Sequence, residues 1–442
     1  MVLLRTPEWG INPVPDKHKM LSGLDYFILW SSLGVGLLVL SAGSFLSKAS
    51  FLDAVLAIVI GSVTGSILLA LAGKIGSDHG IPSLITMRPA FGIMGSYLPA
   101  ILNVIQLIGW TTFEIMIMAR AADMLTGSML PYSFWAAIIA ALVAFLGIAG
   151  PLNVVRKWVG KFAVWIAYGT SAIIIANLIN SVDIGSLIFS HGQGMSFFPA
   201  LDLVIAMPVS WMPLAADYNR FAKKSKSALV GTFIGFTMTN ILFYFGGILL
   251  GTSDVISIVA AIQAMFFGFL MLLLIVDEAD NAFADVYSAS LSTQDIFPKI
   301  RQKHLVIGYT ALSAILAMVV SVQQYEEFLL LIGAIFVPLF GVVLTDYYII
   351  NRQKYREHML YPGQSNRLGI RAPAIIAWAL GALLNYMLSP LSPIYIPQLP
   401  AIGATVPSLA AASLIYLAIT KLMSRGQITA ESSQGNRTDK VY

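Results

Sequence analysis

The chain has 442 residues, 57% of them hydrophobic and 11% charged, against about 25% charged in a soluble domain. The apolar residues come in long blocks, so the chain reads as an all-α polytopic membrane protein built as one bundle. A basic excess of four suits cytoplasmic loops rather than nucleic-acid binding, and the absence of cysteine excludes disulfides, zinc–thiolate sites and thiol nucleophiles.

Residues 1–23 are polar and contain proline. No short apolar run with a cleavage site follows, so they read as a cytoplasmic segment rather than a cleavable signal. Twelve spans are expected near 24–46, 51–74, 97–124, 131–150, 158–180, 201–221, 227–250, 264–290, 304–322, 327–349, 370–389 and 402–422. Each is long enough for roughly 30 Å of hydrocarbon at about 1.5 Å per residue. Lys and Arg cluster before span 1, after every even-numbered span and at the end of the chain; only Lys48 and Arg120 fall in the alternate loops. That alternation places both termini in the cytoplasm of a multi-pass cell-membrane protein. The stretch 423–442 is polar and is expected to be a disordered tail.

Span 1 carries Gly34, Gly36 and Gly43, and span 6 carries Pro208 and Pro213. Glycine weakens a helix and proline removes a donor. Either device can merely kink or pack a membrane helix. Interruptions at positions 1 and 6 together are what two inverted five-helix repeats produce, here 24–180 and 201–349, followed by two helices over 370–422. Such repeats hold a midplane site where unwound backbone supplies ligands.

In span 3, Asn103, Gln106, Trp110 and Glu114 fall within about 80° on one helix face. An indole, two amides and a carboxyl suit a flat, hydrogen-bonding heterocycle. Packing or interhelical bonding would explain the Trp and the amides equally well. Glu114 has no same-face basic partner, since Arg120 lies about 240° around the helix.

Span 8 contains four carboxylates in nine residues, Asp277, Glu278, Asp280 and Asp285, together with Asn281. These fall within an arc of about 160°, opposite Ala279, Ala282, Phe283 and Val286. Two readings stand. Either the helix ends at Val276 and the acids sit in water, or 254–263 is an external segment and the acids lie inside the span, where charge is costly and usually functional.

The chain resembles the nucleobase-cation-symport-1 transporters of the cytosine permease type. The matching pieces are Arg88-Pro89-Ala90-Phe91-Gly92 with Gly95-Ser96, Gly109-Trp110, Ala216-Asp217-Tyr218-Asn219-Arg220-Phe221, and Thr345-Asp346-Tyr347-Tyr348 with Asn351-Arg352. Trp9-Gly10-Ile11-Asn12-Pro13-Val14-Pro15, Ser32 to Leu38 and Gly109 to Glu114 look most like the branch proposed to carry hydroxymethylpyrimidine. The resemblance implies two inverted repeats plus two C-terminal helices. It implies a substrate site between helices 1, 3, 6 and 8, falling on Ser41, Gln106, Trp110, Glu114, Ser210, Trp211, Asn281 and Asp285. It implies a cation site between helices 1 and 8, at Leu37, Leu40, Asp277, Asp280 and Asn281. Trp110 matches the family's stacking indole, and Glu114 stands one turn later, where some members have glutamine. Ser41 stands where relatives often have glutamine. Relatives place a second aromatic near Pro208; the nearest here is Trp211, about three residues later.

The expected function is cation-coupled import of cytosine or hydroxymethylpyrimidine. The expected partners are that substrate, the coupling cation and the lipid bilayer, with no nucleic acid. No cofactor is expected beyond Na+ or H+ as coupling ion. A purine, uracil, allantoin or hydantoin carrier is the alternative within the family; a transport-inactive receptor or a channel is the alternative outside it. An enzyme is not expected: His18, His79, His191, His304 and His358 lie in loops without ligand spacing.

Overall fold

The computed structural model describes residues 9–150, 164–189, 192, 194–250, 255–321, 324–361, 369–390, 392–399 and 402–438. Among these the fold is helical throughout, with two isolated β-bridges and no named strand. Seven helices are long and apolar enough to cross a membrane by length and composition: Phe51–His79, Ile93–Leu125, Tyr132–Ala149, Phe197–Asn219, Ser225–Leu250, Tyr325–Ile350 and Thr405–Met423. They are spans 2, 3, 4, 6, 7, 10 and 12. Spans 1 and 8 are bent pairs, and span 11 is the shorter apolar helix Ala372–Leu388. Helices Val164–Ser181 and Gln302–Leu316 occupy the positions of spans 5 and 9.

Span 1 is broken as its glycines suggested. Its first half, Gly23–Ser32, opens with a Ser22–Asp25 capping box. Its second half, Leu37–Phe45, is preceded by extended backbone at Gly36, and the two halves meet at 66°. Gly43 does not break the helix; it lies inside the second half, where it lets span 7 approach. A Cβ on Gly43 would stand 2.4 Å from the Tyr244 carbonyl, and one on the facing Gly247 2.3 Å from that of Leu40. Small residues at such a crossing let two membrane helices touch backbone to backbone.

Span 6 is interrupted between its two prolines, over a single residue. Phe197–Ser210 and Met212–Asn219 are separated by Trp211 alone and form one 23-residue span. Around Trp211 the backbone makes short-range bonds, Trp211 N to Pro208 O at 3.3 Å and Leu214 N to Trp211 O at 3.2 Å. The result is a tightened turn rather than an unwound segment.

Span 8 settles the two readings of its acids. Phe269–Ile296 is one 28-residue helix, and Ser257–Ala264 meets it at 118°. The acidic run therefore lies well inside the helix. Glu278, Asp280, Asn281 and Asp285 are buried, and so are Ala279, Ala282, Phe283 and Val286 on the opposite side. A helix enclosed on all sides belongs at the centre of a bundle.

The last helix runs from Thr405 to Thr438, beyond Met423, where a disordered tail was expected. After Pro407 the sequence contains no proline to stop it.

Packing follows a two-fold exchange. Span 1 lies against span 7 as span 6 lies against span 2, and span 3 packs on span 8 at the centre. The motifs that carried the family resemblance pin this arrangement near the basic ends of the spans. Asp217 accepts the Ser83 N–H at 2.8 Å, capping helix Ser83–Phe91. Tyr218 donates to the Ala284 carbonyl, Asn219 accepts from the Trp30 indole, and Arg220 donates to Gly10 O and to the Tyr287 hydroxyl. Asp346 sits in the π-turn Thr345–Ile350 and accepts from Tyr355 and Tyr416.

Arg88 and Asp295 form a buried ion pair at 2.8 Å; Ser96 also donates to Asp295, and Arg88 to the Leu360 carbonyl. Truncating one partner of a buried pair strands the other charge, at about 3–5 kcal/mol. Arg88→Ala is therefore expected to lower the thermal unfolding midpoint sharply. The double variant Arg88→Met/Asp295→Leu is expected to recover most of the loss. Unfolding in detergent, followed by tryptophan fluorescence, reads both.

Candidate functional site

Spans 3 and 8 run antiparallel and pack closely along their polar faces. Asn103 Nδ2 donates to Ser292 Oγ at 2.8 Å, the Glu114 and Asp285 carboxyls lie close to each other, and Gln263, on the short helix before Phe269–Ile296, donates through Nε2 to Met124 O at 2.8 Å. On span 8 the residues Glu278, Asn281, Asp285, Ser288 and Ser292 recur at three- and four-residue steps. Such spacing makes one stripe, and it meets the Asn103–Gln106–Trp110–Glu114 stripe of span 3.

The same stripe grips the break in span 1. Glu278 Oε2 accepts the Leu37 N–H at 3.0 Å, capping the second half-helix from another span. Asn281 Nδ2 donates to the Val35 carbonyl at 2.9 Å, and Ser32 Oγ to Asp280 Oδ2 at 3.4 Å. An anionic group at a helix N-terminus is electrostatically favoured and satisfies a donor that the helix cannot. Gly36 makes the grip possible, since a Cβ there would stand 2.8 Å from Glu278 Oε2.

Trp110 is 7% exposed. Its ring is held edge-on by Tyr325 at 5.8 Å and Phe328 at 5.5 Å, both at the start of span 10. Phe113 joins the same aromatic group, and the Tyr325 hydroxyl donates to the Leu38 carbonyl on span 1. Gln106 Nε2 donates to Asn103 Oδ1 at 2.7 Å and to the Ser210 carbonyl at 3.3 Å, joining spans 3 and 6.

Polar atoms without partners concentrate here. Of the eighteen buried side-chain N and O atoms left without a hydrogen bond among the described residues, seven belong to Ser41, Gln106, Trp110, Glu114, Asp280, Asn281 and Asp285. Each such atom costs about 1–3 kcal/mol when nothing meets it. A concentration of them on facing helices is a surface shaped for a polar guest. The free groups are the Trp110 indole N–H, the Gln106 amide oxygen, the Ser41 hydroxyl and one carboxyl oxygen each on Glu114 and Asp285, with Asp280 Oδ1 and Asn281 Oδ1 on span 8. A direct bond between the Glu114 and Asp285 carboxyls would require a proton on one of them.

The remaining expected residues are placed as follows. The Ser210 hydroxyl back-bonds to Met207 O at 2.7 Å, leaving its carbonyl as the group facing Gln106. Trp211 packs edge-on against Trp30 and near Phe236, not against Trp110. Leu37 and Leu40 are buried in the second half of span 1. Asp277 is helical, and its side chain lies outside the described residues. No group of three or more His, Asp or Glu that could hold a metal ion occurs among the described residues.

The sequence matches, over residues 13–406, the family described as permeases for cytosine/purines, uracil, thiamine and allantoin. The chain belongs to this family. The cytosine permease of Escherichia coli (strain K12) is 26% identical over 411 residues, covering 86% of this chain and 90% of its own length. The allantoin permease of Bacillus subtilis (strain 168) is 26% identical over 396 residues, covering 79% of both chains. Among solved structures, a nucleobase-cation-symport-1 family transporter in a closed conformation with bromovinylhydantoin bound superposes with a TM-score of 0.81, at 18% identity and 96% coverage of each chain. A Na+-coupled sialic acid symporter in an outward-open state gives 0.64, at 8% identity, covering 94% of this chain and 92% of its own. These likenesses establish a transporter fold and a multi-pass membrane protein of the cytosine permease type.

Two features of the permease's site escaped sequence reasoning. Glu278 was seen within the polar arc but not given a place in the site, because nothing in a sequence shows a side chain reaching another span's helix terminus. Tyr325 and Phe328 were not singled out: Phe328 opens the expected span 327–349 and Tyr325 falls just before it. Their three-residue spacing was the available signal, and only the fold reveals that they flank Trp110.

Proposed function

We propose that this permease is a cation-coupled symporter that imports an aminopyrimidine, cytosine or hydroxymethylpyrimidine. The observation that carries the reading is the Glu114–Asp285 carboxyl pair beside Trp110, with unpartnered oxygens on both acids. An aminopyrimidine edge presents a ring-nitrogen acceptor beside an amine donor. A protonated carboxyl matches it with one donor and one acceptor, in two parallel bonds. A uracil edge also offers a donor and an acceptor, but its ring is less basic. Glutamate can share its proton with the basic aminopyrimidine nitrogen and form a charge-assisted pair; glutamine cannot. The indole supplies the stacking plane, and Gln106 and Ser41 complete the rim. The relatives named for cytosine support this substrate class, and those named for allantoin define the alternative.

The coupling ion, Na+ or H+, is assigned to Asp280 and Asn281 with Leu37 and Leu40 across the span 1 break, Asp277 adjoining. Asp280 Oδ1 and Asn281 Oδ1 are the oxygens free to receive it. The alternation of Lys and Arg supports both termini being cytoplasmic.

Competition binding of cytosine, hydroxymethylpyrimidine and uracil to the wild type and to Glu114→Gln tests the substrate class. Glu114→Gln is expected to weaken aminopyrimidines by about 1.5–3 kcal/mol, the scale of a charged hydrogen bond, and uracil much less. Equal losses for all three ligands would remove the shared proton from the account. Preferential binding of allantoin or a purine by the wild type would replace the substrate class.

A further inference from the structure

A trough of about 490 Å³ runs along the seam between the first half of span 1 and span 7, away from the central site. Its walls are Phe27 on span 1 and Val230 and Ile234 on span 7, with Lys226 and Ser227 at one end. It exists because the helices touch where neither has a side chain. A Cβ on Gly231 would stand 2.3 Å from the Gly23 carbonyl, and one on Gly23 3.0 Å from that of Ser227. Backbone contact closes the floor, and the flanking apolar side chains are left as rims. Leu24, Val230 and Ile234 are 63, 50 and 41% exposed, as side chains facing hydrocarbon are.

The trough is charged at one end only. Lys223, Lys224 and Lys226 are exposed there, and none makes an ion pair among the described residues. The loop carrying them is fastened by Leu21 N to Phe221 O at 3.0 Å and Lys223 N to Leu21 O at 2.9 Å. Asp25, two residues before Phe27, is occupied by the backbone and hydroxyl of Ser22. The site thus joins a membrane-facing apolar channel to a fixed basic cluster on the Lys-rich face of the protein.

We infer that this trough binds an anionic phospholipid, its phosphate at Lys226 and Ser227 and one acyl chain lying along Phe27, Val230 and Ile234. The basic end and the apolar walls match the two parts of such a lipid, a phosphate headgroup and an acyl chain. A free anion would use the lysines and leave the apolar walls to other lipids. A zwitterionic lipid would fill the walls without gaining from the charge, which is worth about 1 kcal/mol per basic side chain at an anionic surface. A bound lipid would fasten the first half of span 1 to span 7.

The test uses the purified full chain in neutral detergent, titrated with phosphatidylglycerol, phosphatidylcholine or glycerol phosphate while thermal unfolding is followed. Phosphatidylglycerol is expected to raise the midpoint saturably, with phosphatidylcholine weaker and glycerol phosphate without effect. Lys226→Gln is expected to weaken phosphatidylglycerol about fivefold, the equivalent of one basic contact. Val230→Trp, which fills the trough from an exposed position, is expected to abolish the saturable phase, and Ile234→Phe repeats that test by a milder filling. Equal stabilisation by both lipids, an equal effect of glycerol phosphate, or unchanged binding by Lys226→Gln and either filling variant would overturn the assignment.

Discussion

Trp110→Ala is expected to abolish high-affinity substrate binding, while Trp110→Phe retains part of it. The ring is the largest flat surface on the stripe that carries the unpartnered polar atoms, and its own Nε1 is one of those atoms. Tyr325 and Phe328 meet it at 73° and 71° and fix its plane. Stacking a base-like ring on an aromatic side chain contributes about 1–3 kcal/mol, and alanine also removes the wall that orients the hydrogen bonds. Deleting a buried indole costs stability too, about 3–5 kcal/mol in a packed core. The alanine variant is therefore to be compared with the wild type by size-exclusion profile and unfolding midpoint before binding is read. Isothermal titration with cytosine and hydroxymethylpyrimidine makes the measurement. Wild-type affinity in a folded Trp110→Ala protein would remove the indole from the site.

Asp280→Asn is expected to abolish gradient-driven accumulation while leaving substrate binding measurable. Asp280 is buried, holds Ser32 through one oxygen, and has the other free beside the break in span 1. Asparagine keeps the shape and the bond to Ser32 but removes the charge that favours a cation. By linkage, losing the ion site must also remove any tightening of substrate binding by that ion. Binding with and without the coupling ion, in wild type and variant, tests this separately from transport. If Asp277→Asn and Asp280→Asn both accumulate substrate normally, coupling does not reside on this part of span 8.

The helical class and the positions of the seven long apolar helices were legible because hydropathy over about twenty residues acts locally. The break at Gly34–Gly36 was legible for the same reason, since glycine acts on its own backbone. The interruption of span 6 between Pro208 and Pro213 was legible too, but its confinement to Trp211 was not, because the i→i+3 bonds that tighten the turn belong to no residue type. Gly43 was read as a weak point although it is a contact point, which only the position of Tyr244 reveals. The polar stripes of spans 3 and 8 could be drawn from helical periodicity, yet their pairing depends on antiparallel register. The union of Glu114 with Asp285, and of Glu278 with Leu37, is tertiary information. Asp217, Asn219, Arg220 and Asp346 stood out as motif residues; their work of capping and cross-bracing the helix ends emerged only from the fold.

The measurement that tests the central claim most directly is uptake of labelled cytosine and hydroxymethylpyrimidine into proteoliposomes, with sodium and proton gradients imposed separately. The account predicts saturable accumulation of at least one of the two above its external concentration, driven by one of the two gradients and lost in Asp280→Asn. Accumulation under neither gradient, or flux that rises without saturating as substrate is raised, would contradict it.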